Sequence, residues 1–221
     1  MKNLKTNTIV KIALLGAISA ILMMFRFPLP FAPGFMDLDI AEVPALVGGF
    51  AMGPLAGFLI VVVKILVKII TQGTSTAMIG ELSNLIISSA FVVTASVLYK
   101  KRKSFKSAIF SLVIGVIVMT AMATLSNYFV IFPLYGIDMA EFAENAMASI
   151  NPLVNNTFTF ILFSIIPFNL VKGSVASVVT VVLYKSLSPI LKKEYSKEKV
   201  NEKVNEKLSD KNVKVNKEKT I

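Results

Sequence analysis

The chain contains no cysteine and no histidine. The first absence excludes a disulfide framework, thiolate metal sites and cysteine nucleophiles. The second removes the commonest zinc ligand and the commonest general base, so neither a metal site nor histidine acid–base catalysis is expected. There is no Gly-x-x-x-x-Gly-Lys-[Ser/Thr] loop, so the chain does not hydrolyse ATP by that route. Charge is scarce as well, at 16% of residues against 55% hydrophobic, with a mean hydropathy of +0.73. A soluble domain of that composition would lack the polar surface to cover itself, and the class that fits is a polytopic membrane protein.

The formal charge of +10 is placed where a membrane protein needs it. Basic residues cluster at Lys2, Lys5 and Lys11, at Lys100-Lys101-Arg102-Lys103 with Lys106, and from Lys185 through Lys192 and Lys193. These are the flanks of apolar stretches, as the excess of cytoplasmic lysine and arginine predicts. No basic stripe alternates with aromatics on a soluble face, so nucleic acid is not an expected partner. The first apolar stretch, Ile9 to Phe25, lacks a small-residue cleavage site and reads as a retained helix. From Lys192 the chain becomes a low-complexity Lys-Glu-Asn sequence without aromatics after Tyr195. Two parts follow: a membrane domain over 1–191, and a charged, disordered cytoplasmic tail over 192–221 that lies near anionic lipid.

Five apolar segments stand out at 9–26, 41–71, 78–99, 107–132 and 170–190, with a shorter, wetter one at 151–168 that carries Asn151, Asn155 and Asn156. As a single helix 41–71 would be about 46 Å long, too long for a hydrocarbon core of roughly 30 Å. It contains Gly53-Pro54, a natural break. Split there, it becomes a hairpin of 41–52 and 54–71, and with the amino terminus inside, the Lys100–Lys103 cluster also falls inside. The predicted fold is all-α, with six transmembrane helices and both termini cytoplasmic. Segment 151–168 then reads as an interfacial or re-entrant helix feeding the last span. The connections 27–40, 72–77 and 131–169 face outward, and hold most of the acidic residues of the membrane domain.

Polar residues at membrane depth mark ligand or ion pathways, and here they converge on the outward end. Asn127 and Tyr128 lie near the outer end of the fifth helix. Asn169 and Lys172, three apart and so on one face, open the sixth. Glu81 and Asn84 open the fourth. The loop from Phe27 to Phe35, rich in proline and phenylalanine, reads as a lid. Amides, one ammonium and several aromatics suit a flat heteroaromatic ligand with imide-like edges, because an amide donates and accepts at once. Each residue alone has a plainer reading: Asn127 as an interhelical bond, Lys172 as a snorkelling side chain, Glu81 as a helix cap. Lys64 and Lys68 either snorkel or pair with Glu42 or Glu81, and carry no assigned ligand role. On helix one, Ala13/Ala17 and Gly16/Ala20 offer two registers of small residues four apart, a face for close helix packing inside the chain or against another subunit.

Several motifs, in this order, carry a family resemblance: Phe27-Pro28-Leu29-Pro30-Phe31, Leu38-Asp39-Ile40-Ala41-Glu42-Val43-Pro44, Gly53-Pro54-Leu55-Ala56-Gly57, Asn127-Tyr128-Phe129, Phe132-Pro133-Leu134-Tyr135-Gly136 and Pro167-Phe168-Asn169-Leu170-Val171-Lys172-Gly173. Together, over about 8–190, they resemble the riboflavin-specific substrate-binding (S) components of energy-coupling-factor (ECF) vitamin transporters. The resemblance implies a multi-pass protein of the bacterial cell membrane that captures riboflavin from outside. It implies no catalytic residue and no cofactor, with riboflavin as the transported ligand. The implied partners are a transmembrane coupling protein and two cytoplasmic ATPase subunits. It assigns ligand contact to Asn127, Asn169 and Lys172, closure over the ligand to the loop around Leu38, and docking on the coupling protein to the face of Ala13 and Ala17. Glu42 departs from the family pattern, which has aspartate there, and Ile65 departs from asparagine.

Three rivals remain at this level. An S component for another vitamin differs only in ligand. A membrane enzyme acting on lipids would need a nucleophile or acid–base pair, for which only Glu81 with its serine and threonine neighbours offers material. A stand-alone secondary transporter would show two repeated halves, and no repeat is found.

Overall fold

The computed structural model describes residues 6–33, 36–136, 138–142, 147 and 151–184. The tail expected over 192–221, with its boundary, lies outside the described residues. Among the described residues six longer helices, besides a short one at Met139–Phe142, make up the fold, and four of the six are long and apolar enough to cross a membrane.

Helix α1 spans Thr6–Leu22. Two short strands follow, β1 (Phe27–Pro28) and β2 (Asp37–Leu38), paired antiparallel with Phe27 opposite Leu38. Helix α2 (Glu42–Met52) and helix α3 (Pro54–Gln72) form the hairpin expected from Gly53-Pro54. Gly53 takes φ 98°, a conformation L side chains rarely adopt, and Pro54 starts α3 where its missing N–H is no loss. The arms touch closely: a Cβ on Gly57 would lie 3.0 Å from Gly49 Cα. Helix α4 spans Ile79–Lys101 and helix α5 Phe105–Tyr135. Ser104 caps α5 by accepting from Ser107 N at 3.2 Å. Helix α6 spans Thr157–Tyr184 and is opened by a capping box on Asn156.

The last helix corrects the expectation for 151–168. That segment is not a separate re-entrant helix: its residues from Thr157 are the first turns of α6, which runs unbroken through Pro167. The reason is a π turn at Ile161–Ile165, closed by the N–H of Ile166 on the Ile161 carbonyl, two residues before the proline. A proline inside an α-helix leaves a carbonyl unpaired and collides with the turn before it; a locally widened turn relieves both. Helix α5 repeats the device, with a π turn at Asn127–Ile131 two residues before Pro133. The asparagines of 151–156 serve as cap and turn residues at the start of α6.

The core has two apolar clusters. Ile12, Leu46, Phe50, Ile60, Phe91, Leu112, Met119 and Ala176 belong to the larger, which packs all six helices together. Phe132, Met147, Val154, Phe160 and Ile165 build the smaller, around the two π turns. At the lysine-rich end of α4, Tyr99 stacks on Phe50 with centroids 4.2 Å apart and meets Tyr184 hydroxyl to hydroxyl at 2.9 Å.

Candidate binding cavity

At the opposite end of the bundle is a cavity of about 450 Å³, within the size range of small-molecule pockets. Met119, Phe132 and Phe168 give it apolar walls, and Asn84, Asn127, Asn169 and Lys172 line it with Asp39 and Glu42. The two π turns matter here, since such turns gather at functional sites. Asn127 opens the first, and Asn169 lies four residues beyond the second. Each uses its amide nitrogen on its own helix: Asn127 Nδ2 donates to the Ala123 carbonyl at 2.7 Å and Asn169 Nδ2 to the Ile165 carbonyl at 2.8 Å. Both side chains are buried, and their carbonyl oxygens accept no hydrogen bond among the described residues. The pair therefore offers two fixed acceptors.

Lys172 supplies the charge. Its Nζ donates to Asp39 Oδ2 at 3.0 Å and lies 3.5 Å from Glu42 Oε1. The other oxygen of Asp39 accepts from Ala41 N at 2.9 Å, which fixes the entry to α2. Glu42 is fully buried and also holds Lys64 at 3.3 Å. Asp39, Lys172, Glu42 and Lys64 thus form an alternating chain of four buried charges with no net charge. An ammonium has three N–H bonds, and Lys172 keeps at least one for a ligand.

The other expected residues fall differently. Glu81 lines the cavity, yet both oxygens are taken: one by Lys68, the other by Thr74 and Thr76 at 3.0 and 3.1 Å. It ties down the 73–78 loop, in which Ala77 and Met78 hold positive φ. Leu38 is absent from the lining while Asp37 and Asp39 are present, since alternate residues of an extended strand face opposite ways. Tyr128 is exposed, lies edge-on to Phe129 and is also outside the lining. On α1, Gly16 and Ala20 are buried, and a Cβ on Gly16 would collide with Val63 of α3; Ala13 is exposed and Ala17 half-buried. The Gly16/Ala20 register is therefore used inside the chain, and Ala13/Ala17 is the one that faces out.

Asp39, Glu42 and Ser88 were not singled out as site residues from the sequence. The available signal was charge balance, because buried lysines at Lys64 and Lys172 require carboxylates within reach. Among the described residues no group of acidic side chains is placed to hold a metal ion.

A helical membrane bundle with a polar, electrically balanced cavity at one end has the form of a small-molecule binding component. The sequence model of the family described as "ECF transporter, substrate-specific component" matches residues 7–184, and the chain belongs to that family. It is 36% identical over 193 residues to the riboflavin transporter RibU of Staphylococcus aureus (strain TCH60), covering 86% of this chain and 96% of that one. It is 30% identical over 194 residues to the riboflavin transporter FmnP of Bacillus subtilis (strain 168), covering 87% and 98%. A solved structure described as "Structure and mechanism of the S component of a bacterial ECF transporter" matches with a TM-score of 0.66 and 33% identity, covering 84% of this chain and 98% of that chain.

Proposed function

We propose that this chain is the riboflavin-binding S component of an ECF-type transporter in a bacterial cell membrane, capturing riboflavin from outside for ATP-driven uptake by partner subunits. The observation that carries the reading is the arrangement of Asn127, Asn169 and Lys172. Two acceptors locked by their own helices stand beside an ammonium with a spare N–H, all on one apolar-walled cavity. The pyrimidine edge of an isoalloxazine presents an N–H between two carbonyls, so one amide oxygen can accept that N–H while the ammonium donates to a carbonyl beside it. The balanced buried charges suit an uncharged ring system.

In this reading both termini are cytoplasmic and the cavity opens outward. The β1–β2 ribbon, with Leu38 in it, closes over the ligand. Ala13 and Ala17 form the close-packing face for the transmembrane coupling protein, which joins the chain to two ATPase subunits. The test is the absorbance and fluorescence spectrum of the purified chain, expressed alone, after denaturation releases bound ligand. About one flavin per protein is expected. A colourless preparation that also fails to quench added riboflavin would overturn the reading.

A further inference from the structure

Lys64 is fully buried and meets no apolar need of α3. Its Nζ lies 2.9 Å from Asn84 Oδ1, 3.1 Å from Ser88 Oγ and 3.3 Å from Glu42 Oε1, so its three N–H bonds are all used within the protein. Ser88 in turn lies 2.8 Å from Glu42 Oε1 and 3.1 Å from Asn84 Oδ1. A buried ion pair of this kind is weak support for stability, since well-packed apolar side chains serve as well or better. What the network does accomplish is to fix one amide. With its oxygen against an ammonium, Asn84 cannot turn over, because the reversed amide would set its NH₂ against the same cation. Its nitrogen, which makes no hydrogen bond among the described residues, is left to the cavity that Asn84 lines.

We propose that Asn84 donates its amide N–H to the bound flavin, and that Lys64, Glu42 and Ser88 are positioning residues that act through it. The inference rests on the riboflavin reading above. It completes the polarity of the site: Asn127 on α5 and Asn169 on α6 present acceptors, while Lys172, also on α6, and Asn84 on α4 present donors. Asn84 is thereby opposite in character to the other two asparagines, although all three are the same residue type. The difference arises from what each amide bonds to, a helix carbonyl in two cases and an ammonium in the third.

The experiment is a riboflavin fluorescence-quench titration, with dissociation rates and a thermal melt of the ligand-free protein, on the full chain in detergent. Asn84→Asp keeps the oxygen that Lys64 and Ser88 contact and removes both N–H bonds. Asn84→Leu removes the polarity without adding charge. Both are expected to weaken riboflavin at least tenfold through faster release, with the ligand-free melt of Asn84→Asp unchanged or raised. Ser88→Ala is expected to lose several-fold and Ser88→Thr to restore it; this pair supplies the neutral comparison if Asn84→Leu does not fold. Wild-type affinity in Asn84→Asp overturns the proposal, since only the acceptor then matters. A loss confined to Asn84→Asp, with Asn84→Leu and Ser88→Ala binding normally, also overturns it, since the added charge is then the cause. A wild-type chain that does not bind riboflavin overturns the functional reading and this inference together, whereas a binding wild type with unaffected variants overturns this inference alone.

Discussion

The Lys172 ammonium lies 3.0 Å from the Asp39 carboxylate, although the two residues are 133 positions apart in the chain. Asp39 follows the β1–β2 ribbon and Lys172 sits within α6, so the pair fastens the ribbon to the helix that carries Asn169. Both residues line the cavity. The lysine proposed to meet the ligand is thus held by the same segment that is proposed to close over it.

Asp39→Ala is expected to weaken riboflavin binding about tenfold or more and to lower ligand-free stability by roughly 3 kcal/mol, the usual cost of leaving one member of a buried pair unpartnered. Glu42 at 3.5 Å compensates in part. Paired Kd and thermal-melt measurements on Asp39→Ala and Asp39→Glu check this. Unchanged dissociation in Asp39→Ala would show that the tether does not reach the ligand.

Asn127→Ala and Asn169→Ala should each weaken riboflavin by about 1–2 kcal/mol, about five- to thirty-fold, the range for a buried hydrogen bond left unmade. Quench titration measures the effect. Wild-type affinity in both variants would remove these amides from the ligand site.

The two registers of α1 predict opposite phenotypes. Gly16→Leu should destabilise the isolated chain by about 1–3 kcal/mol, because its Cβ meets Val63 in a packed interface. Ala17→Trp should leave riboflavin binding by the purified chain unchanged while abolishing ATP-driven uptake in cells that supply the partner subunits. Normal uptake by Ala17→Trp would remove this face from the docking surface.

Pro167→Ala should allow the widened turn at Ile161–Ile165 to tighten into regular α-helix and swing Asn169 and Lys172 relative to Asn127. A loss of riboflavin affinity of at least about fivefold is expected, with the melt unchanged or raised because a proline inside a helix is unfavourable. Wild-type binding in Pro167→Ala would show that the turn persists without the proline.

The break at Gly53-Pro54 was legible because it depends on the two residues themselves, one free to take positive φ and the other lacking an N–H. Charge parity and its asparagines set segment 151–168 apart from the last span, and the continuity of α6 through Pro167 was not legible. Whether a proline ends a helix depends on the turn before it, and Ile161–Ile165 carries no local signature of a π turn. The sequence leaves Lys64 and Lys68 either snorkelling or paired, with Glu42 and Glu81 as the possible partners. Which lysine belongs to which acid, Lys64 with Glu42 and Lys68 with Glu81, emerges only from helix packing. Leu38 and Tyr128 stand beside lining residues in the chain but not in space, since adjacent positions on a strand or helix point in different directions.

By itself the sequence determined the class of the protein, because hydropathy, basic flanks and the scarcity of charge are summed over local stretches and need no partner. It also determined which residue types stand at membrane depth: three amides, three lysines and the acids that balance them. The tertiary structure decided what those groups do. It leaves the carbonyl oxygens of Asn127 and Asn169 and the amide nitrogen of Asn84 without hydrogen bonds among the described residues, leaves Lys172 a spare N–H while using all three of Lys64, and turns Ala13 and Ala17 outward while burying Gly16 and Ala20. A hydrogen-bonding group has a role only once its partners are fixed, and these range from a carbonyl four residues back on the same helix for Asn127 and Asn169 to a carboxylate 133 positions away for Lys172.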